Sequence, residues 1–130
     1  MITPILMLGA GRMGGAILEG WARAGAFAAS DLMIVDPHPS DAALAAERAG
    51  ARLNPPDADL AQARTVILAV KPQVWREVAA QYGSWLAADA VIVSIAAGVP
   101  SQAIGREFGD RPVARVMPTT AAASRASTKA

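Results

Sequence analysis

The chain has 130 residues, with 12 lysines and arginines against 11 acidic residues, 53% hydrophobic residues and no cysteine. The near-neutral balance and the scattered cations exclude the basic stripe that a phosphate-neutralising nucleic-acid binder needs, and the apolar fraction is too large for a disordered tail. The absence of cysteine and the presence of one histidine, His38, exclude a disulfide scaffold, a thiolate metal site, a thiol nucleophile and a histidine metal cluster, so no metal is expected.

Residues 5–8 (ILML) form a short, wholly apolar run that ends in glycine, as expected of a strand buried on both faces. Because no basic leader precedes it, the apolar start reads as this strand and not as a signal peptide, and cytoplasmic residence is the expectation. A helix over 12–24 follows, with Met13, Ile17 and Trp21 on one face and Gly25 as its stop. The second strand spans 32–35 and is closed by Asp36-Pro37-His38-Pro39. Ser40 or Asp41 can cap the next helix, 42–49, which Gly50 ends. Arg52-Leu53 allows only a very short third strand before Asn54-Pro55-Pro56-Asp57, and 57–63 at most two turns of helix. Residues 65–70 read as a β-branched strand ending at Lys71-Pro72. A helix over 74–86 is predicted next, with Val74, Val78 and Tyr82 in register and Trp75, Trp85 and Leu86 widening its apolar face. A fifth strand over 90–95, a helix from Gly98-Val99-Pro100-Ser101 to about residue 108, and a sixth strand over 112–117 complete the pattern.

Strands alternating with helices through short connections imply a parallel sheet with right-handed crossovers. Six strands in two halves predict an α/β, three-layer, doubly wound Rossmann fold with a mainly parallel sheet in the order 3-2-1-4-5-6. This domain is expected over 1–118. Residues 119–130, which include AAASRASTKA, lack large apolar side chains and read as a low-complexity tail. No apolar stretch approaches the ~20 residues of a membrane span.

The chemistry begins at Gly9, Gly11 and Gly14, a G-x-G-x-x-G turn that follows a buried strand and opens a helix, with an acid, Asp36, at the end of the next strand. Gly9 permits the tight turn, Gly11 lets a pyrophosphate approach the backbone, and Gly14 lets the helix lie close to the sheet. The free amides of the helix start would hold the phosphates. Asp36 is placed to accept hydrogen bonds from an adenosine ribose, or alternatively to make an Asx turn with Pro37. An acid there ordinarily favours NAD, whereas Arg12 and His38 offer positive charge for a 2′-phosphate. The cofactor is therefore read as NADPH or NADH.

The segments GAGRMGGAILEGW (9–21), AVKP (69–72), VSIAAGV (93–99) and RVMPTT (115–120), in this order and spacing, resemble the pyrroline-5-carboxylate reductase family over roughly residues 3–120. The resemblance implies NAD(P)H-dependent reduction of 1-pyrroline-5-carboxylate to proline. It also implies contacts to the pyrophosphate turn from Leu8, Gly9, Ala10, Gly11, Arg12, Met13 and Gly14, and to the adenosine ribose from Asp36. Ala69, Val70, Lys71 and Pro72, with Ala96, Ala97 and Gly98, would pass near the nicotinamide side. In the family a helical domain follows, forms a homo-oligomer and supplies most of the substrate pocket; catalytic groups are expected there and not in this chain. After Met117-Pro118 the chain reads Thr119-Thr120-Ala121-Ala122, where the family typically has Asn-Thr-Pro-Ala. The implied partner is a small-molecule substrate, with neither nucleic acid nor membrane. Competing readings are the nucleotide domain of another NAD(P)- or F420-linked dehydrogenase, and a non-catalytic nucleotide-binding or interaction module.

Overall fold

The computed structural model describes residues 2–9, 11–71, 73–95, 104, 106, 108–109 and 113–115, with the side chains of residues 12, 13, 114 and 115 outside that description. Nine elements carry the fold: β1 (Ile5–Leu8), α1 (Gly11–Ala24), β2 (Leu32–Val35), α2 (Asp41–Ala49), β3 (Arg52–Leu53), β4 (Thr65–Leu68), α3 (Trp75–Tyr82), β5 (Val91–Ser94) and β6 (Val113–Arg115). Short 3-10 turns occupy Ala29–Asp31, Asp57–Gln62 and Gly83–Trp85. The six strands form one sheet in the order β3-β2-β1-β4-β5-β6, and every pairing is parallel, as the alternation of strand and helix predicts.

Alternation along the strands divides the core in two. Leu6, Leu8, Met33, Val35, Val66, Leu68 and Ile92 point to one face, where Leu60, Trp75, Ala79, Leu86, Ile104 and Phe108 cover them. Ile5, Met7, Leu32, Ile34 and Ile67 point to the other, under α1 and α2 through Leu18 and Ala43, with Ile17, Trp21 and Phe27 packed alongside. The Trp21 and Phe27 rings meet edge to face at 5.1 Å. Strands buried on both faces have no polar side to show, so β1, β2 and β4 are continuous apolar runs apart from Thr65. Thr65 is accommodated because its hydroxyl donates to the Ile2 carbonyl at 2.7 Å.

Helix ends follow local chemistry. Gly25 (φ 61°) and Gly50 (φ 125°) stop α1 and α2 in backbone conformations that a β-carbon disfavours. At the end of α2, the Gly50 N–H donates to Glu47 and the Ala51 N–H to Ala46, which satisfies the last carbonyls. At its start, Ser40 rather than Asp41 is the cap: its hydroxyl accepts from the Ala43 N–H at 3.3 Å.

Several element boundaries differ from expectation by one or two residues. β4 ends at Leu68 and not at residue 70, because Val70 leaves the sheet to pack on Gly9. The helix expected over 74–86 is α3 plus the 3-10 turn Gly83–Trp85, and Val74 and Trp85 are exposed. The segment expected to hold at most two turns of helix is the 3-10 helix Asp57–Gln62. On α1, Ile17 and Trp21 pack against the core as the spacing-four reading expects, and Leu18, which that reading passed over, is buried beside them; the side chain of Met13 lies outside the description. The start of the helix expected from residue 98 lies outside the described residues, but Ile104 and Phe108 are buried and the Phe108 N–H donates to the Ile104 carbonyl at 3.0 Å, a helical bond. Among the described residues no helix is long and apolar enough to cross a membrane.

Leu18 is 4% exposed and Leu44, on α2, is 36% exposed. Leu18→Ala is therefore expected to lower unfolding free energy by about 2–5 kcal/mol and Leu44→Ala by well under half of that, read as the shift in urea midpoint at constant slope.

Candidate functional site

The sheet register brings the carboxyl ends of four strands to one line: Leu8 pairs with Val35 on one side and with Leu68 on the other, and Leu68 pairs with Ser94. The next residue on each strand is therefore Gly9, Asp36, Ala69 and Ile95. β1 leads to β2 on one side while β4 pairs with β1 on the other, so the strand order reverses between β1 and β4. In open parallel sheets the crevice beyond the strand ends at such a point is where ligands bind.

Gly9 sits at the centre of this line. Its N–H donates to the Val35 carbonyl at 2.7 Å, extending the β1–β2 ladder by one residue, while its φ of 78° turns the chain upward into α1. A β-carbon on Gly9 would lie 2.6 Å from Val70 Cγ1, so the position excludes side chains on two separate grounds. This contact also joins two segments that the sequence singles out, the glycine turn and the 69–72 stretch. Ala69 continues the β1–β4 ladder by donating to the Leu8 carbonyl at 3.0 Å, and Ile95 donates to the Leu68 carbonyl at 3.2 Å. Leu8 itself is fully buried, so only its backbone can face the crevice.

Gly11 differs in kind. Its φ is 44°, and a β-carbon there would meet nothing among the described residues within 4 Å. Protein packing therefore does not demand glycine at this position; the space beside it is open, in front of the first turn of α1. The amides of that turn have no intrahelical acceptor and carry the positive end of the helix dipole. The amide of Gly9, already spent on Val35, is not among them. Gly14 and Gly15 are both buried. Gly15 meets α2, a β-carbon there lying 3.5 Å from Ala42 Cβ.

Asp36 is 9% exposed and held from three directions. Its N–H donates to Asn54 Oδ1 at 2.8 Å, its carbonyl accepts from Asn54 Nδ2 at 2.9 Å, and its Oδ1 accepts from the His38 N–H at 2.9 Å. The last of these is the Asx turn that the sequence offers as an alternative role, so turn formation and placement at the strand end coexist in one residue. Asn54 has a φ of 49°, a conformation asparagine tolerates better than most residues, and its own N–H donates to the Ile34 carbonyl at 2.7 Å. Sequence reasoning passed over Asn54 as a strand terminator; the signal was an asparagine before a proline at a strand end, and only the β2–β3 pairing shows what it clamps.

Lys71 is exposed, its carbonyl accepting from the Val74 N–H at 3.0 Å, and no described carboxylate pairs with its ammonium. Arg12 and Met13 lie in the first turn of α1, their side chains outside the description; Ala10, Pro72, Ala96, Ala97 and Gly98 lie outside the described residues altogether. Among the described residues no group of three His, Asp or Glu side chains could hold a metal ion.

The profile of a family described as "NADP oxidoreductase coenzyme F420-dependent" matches residues 4–98. The chain is 34% identical over 124 residues to the pyrroline-5-carboxylate reductase of Escherichia coli K12, a match covering 94% of this chain and 46% of that protein. Its fold resembles that of a pyrroline-5-carboxylate reductase from Coxiella burnetii, with a TM-score of 0.78 at 24% identity over 95% of this chain and 46% of that one. It also resembles the Plasmodium falciparum pyrroline carboxylate reductase solved with NADP bound, with a TM-score of 0.69 at 22% identity over 91% of this chain and 43% of that one. The chain thus spans about half the length of the curated relatives it matches.

Two substitutions probe the site as built. Gly9→Ala is expected to cost more than about 2 kcal/mol, from left-handed strain plus the Val70 clash, and to lower Tm by several degrees, with Val70→Ala in the same chain recovering part of the loss. Asn54→Ala removes both Asp36 bonds and is expected to cost about 1–3 kcal/mol in a urea titration, whereas Asn54→Gly, which relieves the backbone, still loses the clamp.

Proposed function

The chain belongs to the family described as NADP oxidoreductase, coenzyme F420-dependent, and from that membership we propose that it forms the dinucleotide-binding half of a pyrroline-5-carboxylate reductase. The observation that carries the cofactor assignment is Gly11: its side-chain space is open, lies before a helix N-terminus and is not needed for packing, which fits a pyrophosphate resting on the backbone. The substrate assignment is supported by the likeness to the Escherichia coli enzyme over 94% of this chain.

In this reading the first-turn amides of α1, at Gly11, Arg12 and Met13, hold the pyrophosphate, and Gly9 sets the turn that aims them, with Leu8, Ala10 and Gly14 completing the segment. Asp36 accepts from the adenosine ribose. Ala69, Val70, Lys71 and Pro72 border the nicotinamide half, as do Ala96, Ala97 and Gly98 after β5. When bound, the dihydronicotinamide supplies the hydride that reduces the C=N bond of 1-pyrroline-5-carboxylate, a proton being taken up at nitrogen to give proline. The task left to the chain's own residues is to orient and to exclude water. Lys71, with no described counter-ion, is available to the substrate carboxylate or to the cofactor. The groups that close the substrate pocket come from the part of the relatives that this chain does not span.

Titration of NADH and NADPH by nucleotide fluorescence should show saturable binding at or below millimolar concentration. Gly11→Ala should weaken it at least about tenfold, because its β-carbon enters the phosphate space, at a stability cost of only about 1–2 kcal/mol. No binding of either nucleotide by the unmodified chain would sink the cofactor reading. For the substrate, residues 1–118 joined to the remaining half of the Escherichia coli relative should oxidise NAD(P)H only when 1-pyrroline-5-carboxylate is present. Turnover with a β-hydroxyacid and none with the pyrroline would assign the chain to another dehydrogenase.

A further inference from the structure

Resting on the dinucleotide-binding reading above, we infer that Val70 is a positioning residue: its branched side chain, seated in the hollow that Gly9 leaves, ties the glycine turn to the 69–72 segment and transmits binding at one to the other. The two segments follow β1 and β4, the neighbouring strands at which the strand order reverses, and in that reading they hold opposite halves of one dinucleotide.

The contact is close, and both sides of it are stiff. The point where Gly9 would carry a β-carbon lies 2.6 Å from Val70 Cγ1 and 3.4 Å from both the Cα and the backbone N of Val70. Side chain and backbone of Val70 together occupy the space that the glycine gives up. A β-branched side chain has few rotamers open to it, so Val70 cannot swing aside as a longer, unbranched one would. Gly9 is equally fixed, by the bond from its N–H to the Val35 carbonyl at 2.7 Å and by its φ of 78°. A shift of the turn is therefore passed on to Val70 and not absorbed.

The segment beyond Val70 depends on where that residue sits. Ala69 still belongs to the ladder, its N–H donating to the Leu8 carbonyl at 3.0 Å, and a further bond, from the Val74 N–H to the Lys71 carbonyl at 3.0 Å, closes the turn that opens α3. Between these two bonds Val70 is placed by packing. It is half-buried against the core face that includes Leu8, Leu68 and Trp75, and it meets Gly9 at the crevice. The exposed Lys71 comes next, so its backbone follows Val70. A ligand that touches only the turn thus has a route through packed atoms to residues 69–71, and linkage makes the coupling run equally in the other direction.

The test uses ADP, which carries the adenosine and the diphosphate but no nicotinamide half, on the unmodified 130-residue chain and on Val70→Ala and Val70→Ile. Amide exchange is followed by NMR. With ADP bound, exchange at Ala69 and Val74 in the unmodified chain should slow about threefold or more beyond any slowing at Ala51, whose N–H is bonded to Ala46 ahead of β3 and reports overall stabilisation. Val70→Ala should lose this excess, and Val70→Ile, which keeps both γ-carbons, should retain it. Affinity for NADH and NADPH should fall about tenfold more than affinity for ADP in Val70→Ala, because the two halves of the site are no longer held as one unit. A loss of stability alone would lower Tm without moving either the excess or the ratio.

Excess slowing that is absent from the unmodified chain, or that survives in Val70→Ala, would overturn the inference; binding of ADP and a dinucleotide in the same samples would leave the reading beneath it standing. Failure of ADP and of both dinucleotides to bind would overturn the two together. Should Val70→Ala fail to fold by circular dichroism, Val70→Leu, which preserves apolar bulk but moves the branch off the β-carbon, carries the same expected loss.

Discussion

At the end of β1 the chain must leave a sheet in which a neighbour already presses on each side, and the rest of the structure depends on how it does so. Gly9 spends its amide on Val35, rotates to a positive φ and passes within contact distance of Val70. A side chain at that point would be strained at this φ and would press on Val70, just beyond β4. The glycine therefore acts on packing before it acts on any ligand. Gly11, two residues on, has the opposite character, since nothing among the described residues fills its space. Packing thus requires the first of these glycines and not the second.

The sheet was legible in the sequence because its strands are covered on both faces. A strand such as Ile5–Leu8 can only be a continuous apolar run, and the glycine or Asp-Pro that follows it marks where the chain must turn. Helix faces were less legible. On α1, Ile17 and Trp21 were legible from their spacing and do pack on the core, but a helix turns in about 3.6 residues, so the covered stripe also takes in Leu18. The β-branched run at 65–70 could not announce its own end, because Val70 leaves the sheet for a tertiary reason, its contact with Gly9.

The candidate site was legible where a motif lies within one segment and hidden where two segments meet. Three glycines and a downstream acid can be read from spacing alone. That Asn54 grips Asp36 from 18 residues away depends on β3 pairing with β2, and a two-residue strand leaves almost no trace in composition. The Asx turn offered as an alternative role for Asp36 is present, since Oδ1 takes the His38 N–H while the residue stays at the line of strand ends.

The central place of β1 also has a consequence in time. Its far neighbour arrives late: β1 pairs with β4, and the Thr65 hydroxyl reaches back 63 residues to Ile2. The first three strands and two helices leave one edge of β1 bare and the Gly9 turn without Val70 against it. During synthesis the glycine turn can reach its final shape only after residue 70 has emerged, so a turn encoded almost first is completed more than halfway along the chain.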